Sequence, residues 1–168
     1  MNPADSQETL ITRYLEGPAL LERTVSGIHD EELDADPSTN GWTIRQIVHH
    51  IVDGDDLWKV GIKAALGDTP GEFTLEWYWC QPQEVWAERW SYGSRSIDVS
   101  LALLKASRAH VSQLLETIPD GWNRSVAVRK LDGEIVRLSV EAVVTMQTQH
   151  LEHHVNRIKV IRQERGRA

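Results

Sequence analysis

The sequence predicts an all-α protein, a four-helix bundle with one long crossover and a small β-hairpin before the last helix. Four segments repeat apolar residues at helical spacing. A Pro/Gly/Trp-rich stretch without that spacing separates the second from the third, and an Asp-Gly pair sits between two short runs of β-favouring residues. Four long amphipathic helices bury their stripes most simply against one another around one core. At 168 residues, with 40% hydrophobic and 26% charged side chains, the chain suits a single domain spanning residues 1–168.

The first helix is expected from residue 5 to about residue 28. Its opening "DSQE" sets Asp5 and Glu8 at capping-box spacing, and Gly17-Pro18 is expected to kink or split it. In "GWTIRQIVHHIVDGDDLWKVGIKAAL", Thr43 and Gln46 have capping-box spacing and Trp42 and Ile47 the spacing of a hydrophobic staple, so the second helix starts at Thr43 or Ile44. The crossover "GDTPGEFTLEWYWCQPQ" leads into a short helix in "PQEVWAERW". The third helix runs through "SIDVSLALLKASRAHVSQLLETI" and stops before Pro119-Asp120-Gly121, which suits a turn. Around Asp132-Gly133, "RSVAVRKLDGEIVRLS" reads as a hairpin. The last helix begins with Ser139 as N-cap and Leu138 and Val143 as its staple, and runs to about Arg162.

Composition narrows the function classes. The net charge is −7 and the basic residues are scattered, which argues against nucleic acid as a partner, because that affinity comes largely from phosphate neutralisation. The C-terminal "RQERGRA" is better read as cations at the end of a helix, offsetting its dipole. "MNPADSQETL" lacks the basic and apolar regions of a signal peptide, and no apolar run is long enough to span a membrane, so a cytoplasmic protein without a membrane partner is expected. The single cysteine, Cys80, reads as a half-buried core thiol rather than a nucleophile.

Three of the seven histidines fall in "HLEHHVNRI". On a helix, Val140, Val144, Leu151, Val155 and Ile158 form one stripe; His154 lies roughly 40° and His150 roughly 80° from its centre, on the same flank, whereas His153 points about 140° away. His150 and His154, one turn apart, can converge on one ion. The pair alone, without a helical signature such as HExxH, reads more simply as polar residues at the rim of a core. A third ligand is available in His49-His50. Against the stripe of Ile44, Ile47, Ile51, Trp58 and Ile62, His50 is off-centre by roughly 110° and His49 by about 150°, which favours His50 by a small margin. His29 and His110 read as surface or helix-end residues.

"GWTIRQIVHHIVD" together with "HLEHHVNRI" resembles the DinB/YfiT superfamily, and "LDADPSTNGWTIRQ", Pro70, the Asp-Gly hairpin and the last helix fall where that family has them. The resemblance implies a four-helix bundle, often a homodimer, that binds zinc or nickel through three histidines; carried onto this chain these are His50, His150 and His154. It also implies a metal-dependent hydrolase or, as the alternative, an S-transferase of low-molecular-weight thiols such as bacillithiol or mycothiol, in either case acting on a small molecule. The crossover departs from the family in its density of aromatics, Trp77, Trp79, Trp86 and Trp90.

A divalent ion on three neutral imidazoles keeps its full charge and an open position, where it lowers the pKa of water to about 7 or deprotonates a thiol. A hydrolase gains from a nearby carboxylate that carries protons, and Asp53, one turn after His50, is the nearest by sequence; orienting a ligand is its other reading. Gln46 and Gln147, each about a turn before a ligand, are candidate supporting donors, and Glu152 points elsewhere. A fourth protein ligand such as His49 would instead mark a metal-stabilised binding module without turnover. The tryptophans read either as walls of a pocket over the metal, as core, or as an apolar patch covered by a second chain.

Overall fold

The computed structural model describes residues 3–35, 41–68 and 70–165. Residues 36–40, within "LDADPSTN", lie outside the described residues.

Helix α1 is Pro3–Val25, followed by the single turn α2, Asp30–Leu33. Helix α1 starts before Asp5, so Asp5 sits in its first turn and is not its cap. The expected break at Gly17-Pro18 does not occur, and the reason is tertiary. Pro18 lacks the N–H that would bond the Tyr14 carbonyl four residues back, and the buried Arg108 guanidinium supplies that bond through Nη1 at 2.9 Å. Gly17 gives it room, since a Cβ there would lie 2.4 Å from Arg108 Nη1.

Helix α3, Ile44–Leu66, starts where its caps predict. Thr43 Oγ1 accepts from the Gln46 N–H, and the Gln46 side chain accepts from the Thr43 N–H at 2.9 Å. After α3 come strand β1 (Glu72–Thr74), the single turn α4 (Glu76–Trp79) and α5 (Gln83–Arg89). Helix α6, Ile97–Thr117, is capped by Ser96, and Asp120 turns the chain with φ 59°. Strands β2 (Ser125–Arg129) and β3 (Ile135–Ser139) form the expected hairpin. Gly133 takes the left-handed conformation, φ 85°, in a loop closed by Gly133 N–H to Lys130 O and Lys130 N–H to Glu134 O. Helix α7, Val140–Arg165, begins at Ser139, whose Oγ accepts from the Ala142 N–H.

The hairpin has a third strand, which lies in the crossover where the sequence pattern predicts none. β1 pairs in parallel with β2, Glu72 opposite Ala127, giving the order β1-β2-β3. Three residues of strand within a Pro/Gly-rich stretch leave little alternation to detect.

The long helices pack as a ring in the order α1, α7, α3, α6. Side-chain bonds fix their directions. Gln7 bonds Glu141 and Arg162 bonds the Thr24 carbonyl, so α1 and α7 run parallel. His49 meets Ser100 and Asp55 meets Arg108, so α3 and α6 also run parallel. Parallel neighbours need a chain that returns the full length of the bundle, and residues 67–96 make that return. One apolar cluster centres on Ile47, Ile51, Leu151 and Val155; a second centres on Ile62, Val111, Val140 and Val144, against Val126 and Val128 of the sheet. A smaller third one, Leu75, Tyr78 and Trp86, lies under the crossover.

Between the two main clusters sits the ion pair Asp55–Arg108, 2.7 Å, with both side chains almost fully buried. Arg108 also donates to the Gln147 carbonyl at 3.1 Å and lies 4.4 Å from the Tyr14 ring centre. One guanidinium thus ties all four long helices together.

Candidate metal centre

His50 on α3 and His150 and His154 on α7 converge. Ligand-type atoms of the three lie within 4.8 Å of one another, and His50 Nε2 and His150 Nε2 face each other at 3.0 Å. The ring centres are 4.6 to 4.9 Å apart. Trp42 meets the His50 ring edge to face at 4.6 Å and 84°. Gly54, one turn after His50, keeps space beside His150, whose Cε1 would be 3.7 Å from a Cβ at that position.

Burial is the largest cause that keeps these rings neutral. It lowers His50 to about 3, His150 to about 4 and His154 to about 3, with the neighbouring histidines adding in the same direction. Three convergent neutral imidazoles with no carboxylate among them suit a borderline transition ion and not calcium or magnesium. The Nδ1 atoms of His50 and His154 are buried and lack a partner among the described residues.

His49 faces the other way. It is wholly buried, with Nδ1 2.9 Å from Ser100 Oγ and Nε2 3.2 Å from the Arg95 carbonyl, so it belongs to the α3–α6 interface and not to the cluster. His153 is exposed, as its phase predicts. His29 caps α2 and His110 is exposed on α6. Asp53 faces Arg95, 3.5 Å away, and lines a recess with Trp77 and Trp90 apart from the cavities beside the histidines. Glu152 pairs with Arg13 at 2.7 Å. Cys80 is exposed, not in the core, because the short turn α4 carries it outward; its Sγ donates to the Trp77 carbonyl.

The crossover roofs the site. Tyr78, Trp86 and Trp90 stack, Tyr78 with Trp90 at 5.8 Å and 11°, and Trp86 Nε1 donates to the Tyr78 carbonyl at 2.7 Å. Of the four crossover tryptophans only Trp77 is exposed, at 49%. The expected aromatic patch is therefore largely folded in on itself. A cavity of about 190 Å³ opens beside His50 and His150, walled by Trp58, Trp79, Tyr78 and Met146, with Gln83, Gln147 and Asp55 as its other polar residues. A second, of about 320 Å³, opens on the other side of His50, between Trp42, His154, Glu84 and Arg157. A larger recess of about 700 Å³ is lined by none of the three clustered histidines, and its buried cation Arg45 is committed to Asp30 and Asp34 at 2.7 and 2.5 Å.

Asp55, Arg108 and Gln83 are not among the residues that the sequence pattern singles out. A signal existed for the first two: each interrupts an apolar stripe, Ile51-Asp55-Trp58-Ile62 on α3 and Leu104-Arg108-Val111-Leu115 on α6, which is where a buried ion pair must sit. Gln83 carries no such signal, because only the path of the crossover brings it over the histidines.

A bundle of this connectivity with a histidine cluster between its second and fourth long helices defines a class. The model of the DinB superfamily matches residues 13–158, and the chain belongs to that superfamily. Among its relatives, a protein of Bacillus licheniformis named "Putative metal-dependent hydrolase" is 25% identical, over 98% of this chain and 92% of its own length. The structure of YfiT from Bacillus subtilis, described as "a probable metal-dependent hydrolase with an unusual four-helix bundle topology", is 25% identical and superposes with a TM-score of 0.80, over 99% of this chain and 91% of that one. A mycothiol-dependent maleylpyruvate isomerase, 16% identical, shares the fold with a TM-score of 0.64 over 88% of this chain and 58% of its own. None of the described helices is long and apolar enough to cross a membrane.

Proposed function

We propose that this chain is a metal-dependent hydrolase of a small molecule, with His50, His150 and His154 holding one zinc or nickel ion. The observation that carries the reading is the convergence of three neutral imidazoles at the edge of a largely apolar cavity. Such an ion supplies Lewis acidity, which activates water or a thiol at neutral pH. The chain's own residues do the rest: Trp58, Trp79 and Met146 exclude water and hold an apolar group, and the crossover roof limits access. On this reading Asp53 acts at a distance, by holding Arg95 against His49, and a proton-carrying role for it predicts loss of turnover in Asp53→Asn. The names of the relatives support the hydrolase reading.

The same centre suits a thiol nucleophile, so the test has two arms. Purified protein is expected to carry about one equivalent of transition metal per chain by elemental analysis, lost in His150→Ala and His154→Ala and kept in His153→Ala. Metal-dependent cleavage of esters or amides selects the hydrolase; metal-dependent consumption of bacillithiol, mycothiol or glutathione with an electrophile selects the transferase. Unchanged metal content in the histidine variants refutes the centre. A cytoplasmic homodimer is part of the proposal, and a 19.1 kDa species in light scattering at every concentration would remove the dimer.

A further inference from the structure

We propose that Gln83 and Gln147 read an amide group, so that the substrate is a small amide with one apolar or aromatic substituent. The inference rests on the hydrolase reading for its chemistry and on separate observations for its specificity. Both glutamines line the cavity of about 190 Å³ that also contains His50 and His150.

Gln147 is 3% exposed, and its Nε2 donates to the Asp55 carbonyl at 3.0 Å. A backbone carbonyl can only accept, so the amide nitrogen must face it, and Oε1 is left as the free end. That oxygen is buried and has no partner among the described residues, a costly state for an acceptor unless a guest supplies the donor. Gln83 is arranged the opposite way. Its Oε1 accepts from the Tyr78 hydroxyl at 2.5 Å, and Tyr78 is held in the aromatic stack under the crossover. Its Nε2 makes no bond to the described residues, so its two N–H donors remain available to a guest in either of the cavities that Gln83 lines.

An unpaired acceptor and an unpaired donor on two residues that line one cavity match a group that carries both an N–H and a carbonyl oxygen. An amide does so; an ester offers only the oxygen. The walls, Trp58, Trp79, Tyr78 and Met146, suit an apolar substituent, and a cavity of about 150 Å³ already accommodates benzene. Gln83 also lines the second cavity beside His154, so longer substituents have an outlet on that side. A site built around a hydrogen-bond donor rejects analogues that lack it, because its own acceptor is then stranded.

The test is binding, measured by calorimetry on the protein as purified, with benzamide, N,N-dimethylbenzamide and methyl benzoate. Benzamide is expected to bind roughly ten-fold more tightly than the two ligands without an N–H. Gln147→Met should abolish that preference, and Gln83→Met, on the short helix α5, should weaken all three. Equal binding of the three ligands to the unaltered protein, no binding of any, or a preference that survives Gln147→Met would overturn the inference; the ligand series on the unaltered protein stands even if Gln147→Met unfolds. Turnover in the same samples separates the two claims. Preference without cleavage removes the hydrolase reading and keeps the amide site, whereas metal-dependent cleavage without preference does the reverse.

Discussion

Replacing Gly17 by alanine puts the tertiary account of α1 against helix propensity. Propensity alone says the change is favourable, because alanine exceeds glycine by about 0.8–1.0 kcal/mol in a helix interior. Here the added Cβ would lie 2.4 Å from Arg108 Nη1 and 3.2 Å from Leu151 Cδ1. Arg108 cannot step aside cheaply. Its guanidinium is held by Asp55 at 2.7 and 3.2 Å, by the Tyr14 carbonyl at 2.9 Å and by the Gln147 carbonyl at 3.1 Å. Shifting the helix instead costs about 1–3 kcal/mol of overpacking, and expelling the arginine costs about 3–5 kcal/mol by leaving Asp55 charged and unpaired. The cheaper route, less the propensity gain, predicts a net loss of up to about 2 kcal/mol and a midpoint lowered by up to roughly 8 °C. Thermal and urea unfolding read this directly. In an Arg108→Met background the contact with Arg108 is gone and only the 3.2 Å approach to Leu151 Cδ1 remains, so the same change should cost less or become neutral, a coupling that a double-mutant cycle measures. A Gly17→Ala protein at least as stable as the parent would refute the reasoning.

Acid should weaken the metal-free protein through its histidines. His50, His150 and His154 have folded values of about 3 to 4, below the ordinary 6.5, so the unfolded chain binds more protons as pH falls and stability drops between about 6.5 and 4. At pH 5.5 each ring contributes up to about 1.4 kcal/mol, so urea midpoints at pH 7.5 and 5.5 should differ in the parent and differ less in His50→Phe. A local test concerns the start of α3. Thr43→Ala removes the hydroxyl that accepts from Gln46 N–H and should cost about 1 kcal/mol in urea unfolding, with metal content unchanged.

Local chemistry was enough for the start of α3, the start of α7 and the hairpin. The boundaries of α3 and α7 follow from Thr43, Gln46 and Ser139, whose side chains satisfy backbone groups a few residues away, and the hairpin follows from Gly133 in the same manner. The i, i+4 pair His150 and His154 was legible because both residues share one helix. What the tertiary structure decided involves residues far apart in the chain. Helical phase set His50 ahead of His49 only narrowly, and it could not foresee that His49 is wholly buried, since α3 packs on α7 along one side and on α6 along the other. Gly17-Pro18 reads as a break until Arg108 arrives from α6 to take the carbonyl that proline leaves free. Likewise β1, the Asp55–Arg108 tie and Gln83 over the histidines all depend on how the crossover returns along the bundle. Backbone capping is settled within one turn, whereas the partner of a buried charge or of an unpaired amide is settled only when separate helices meet.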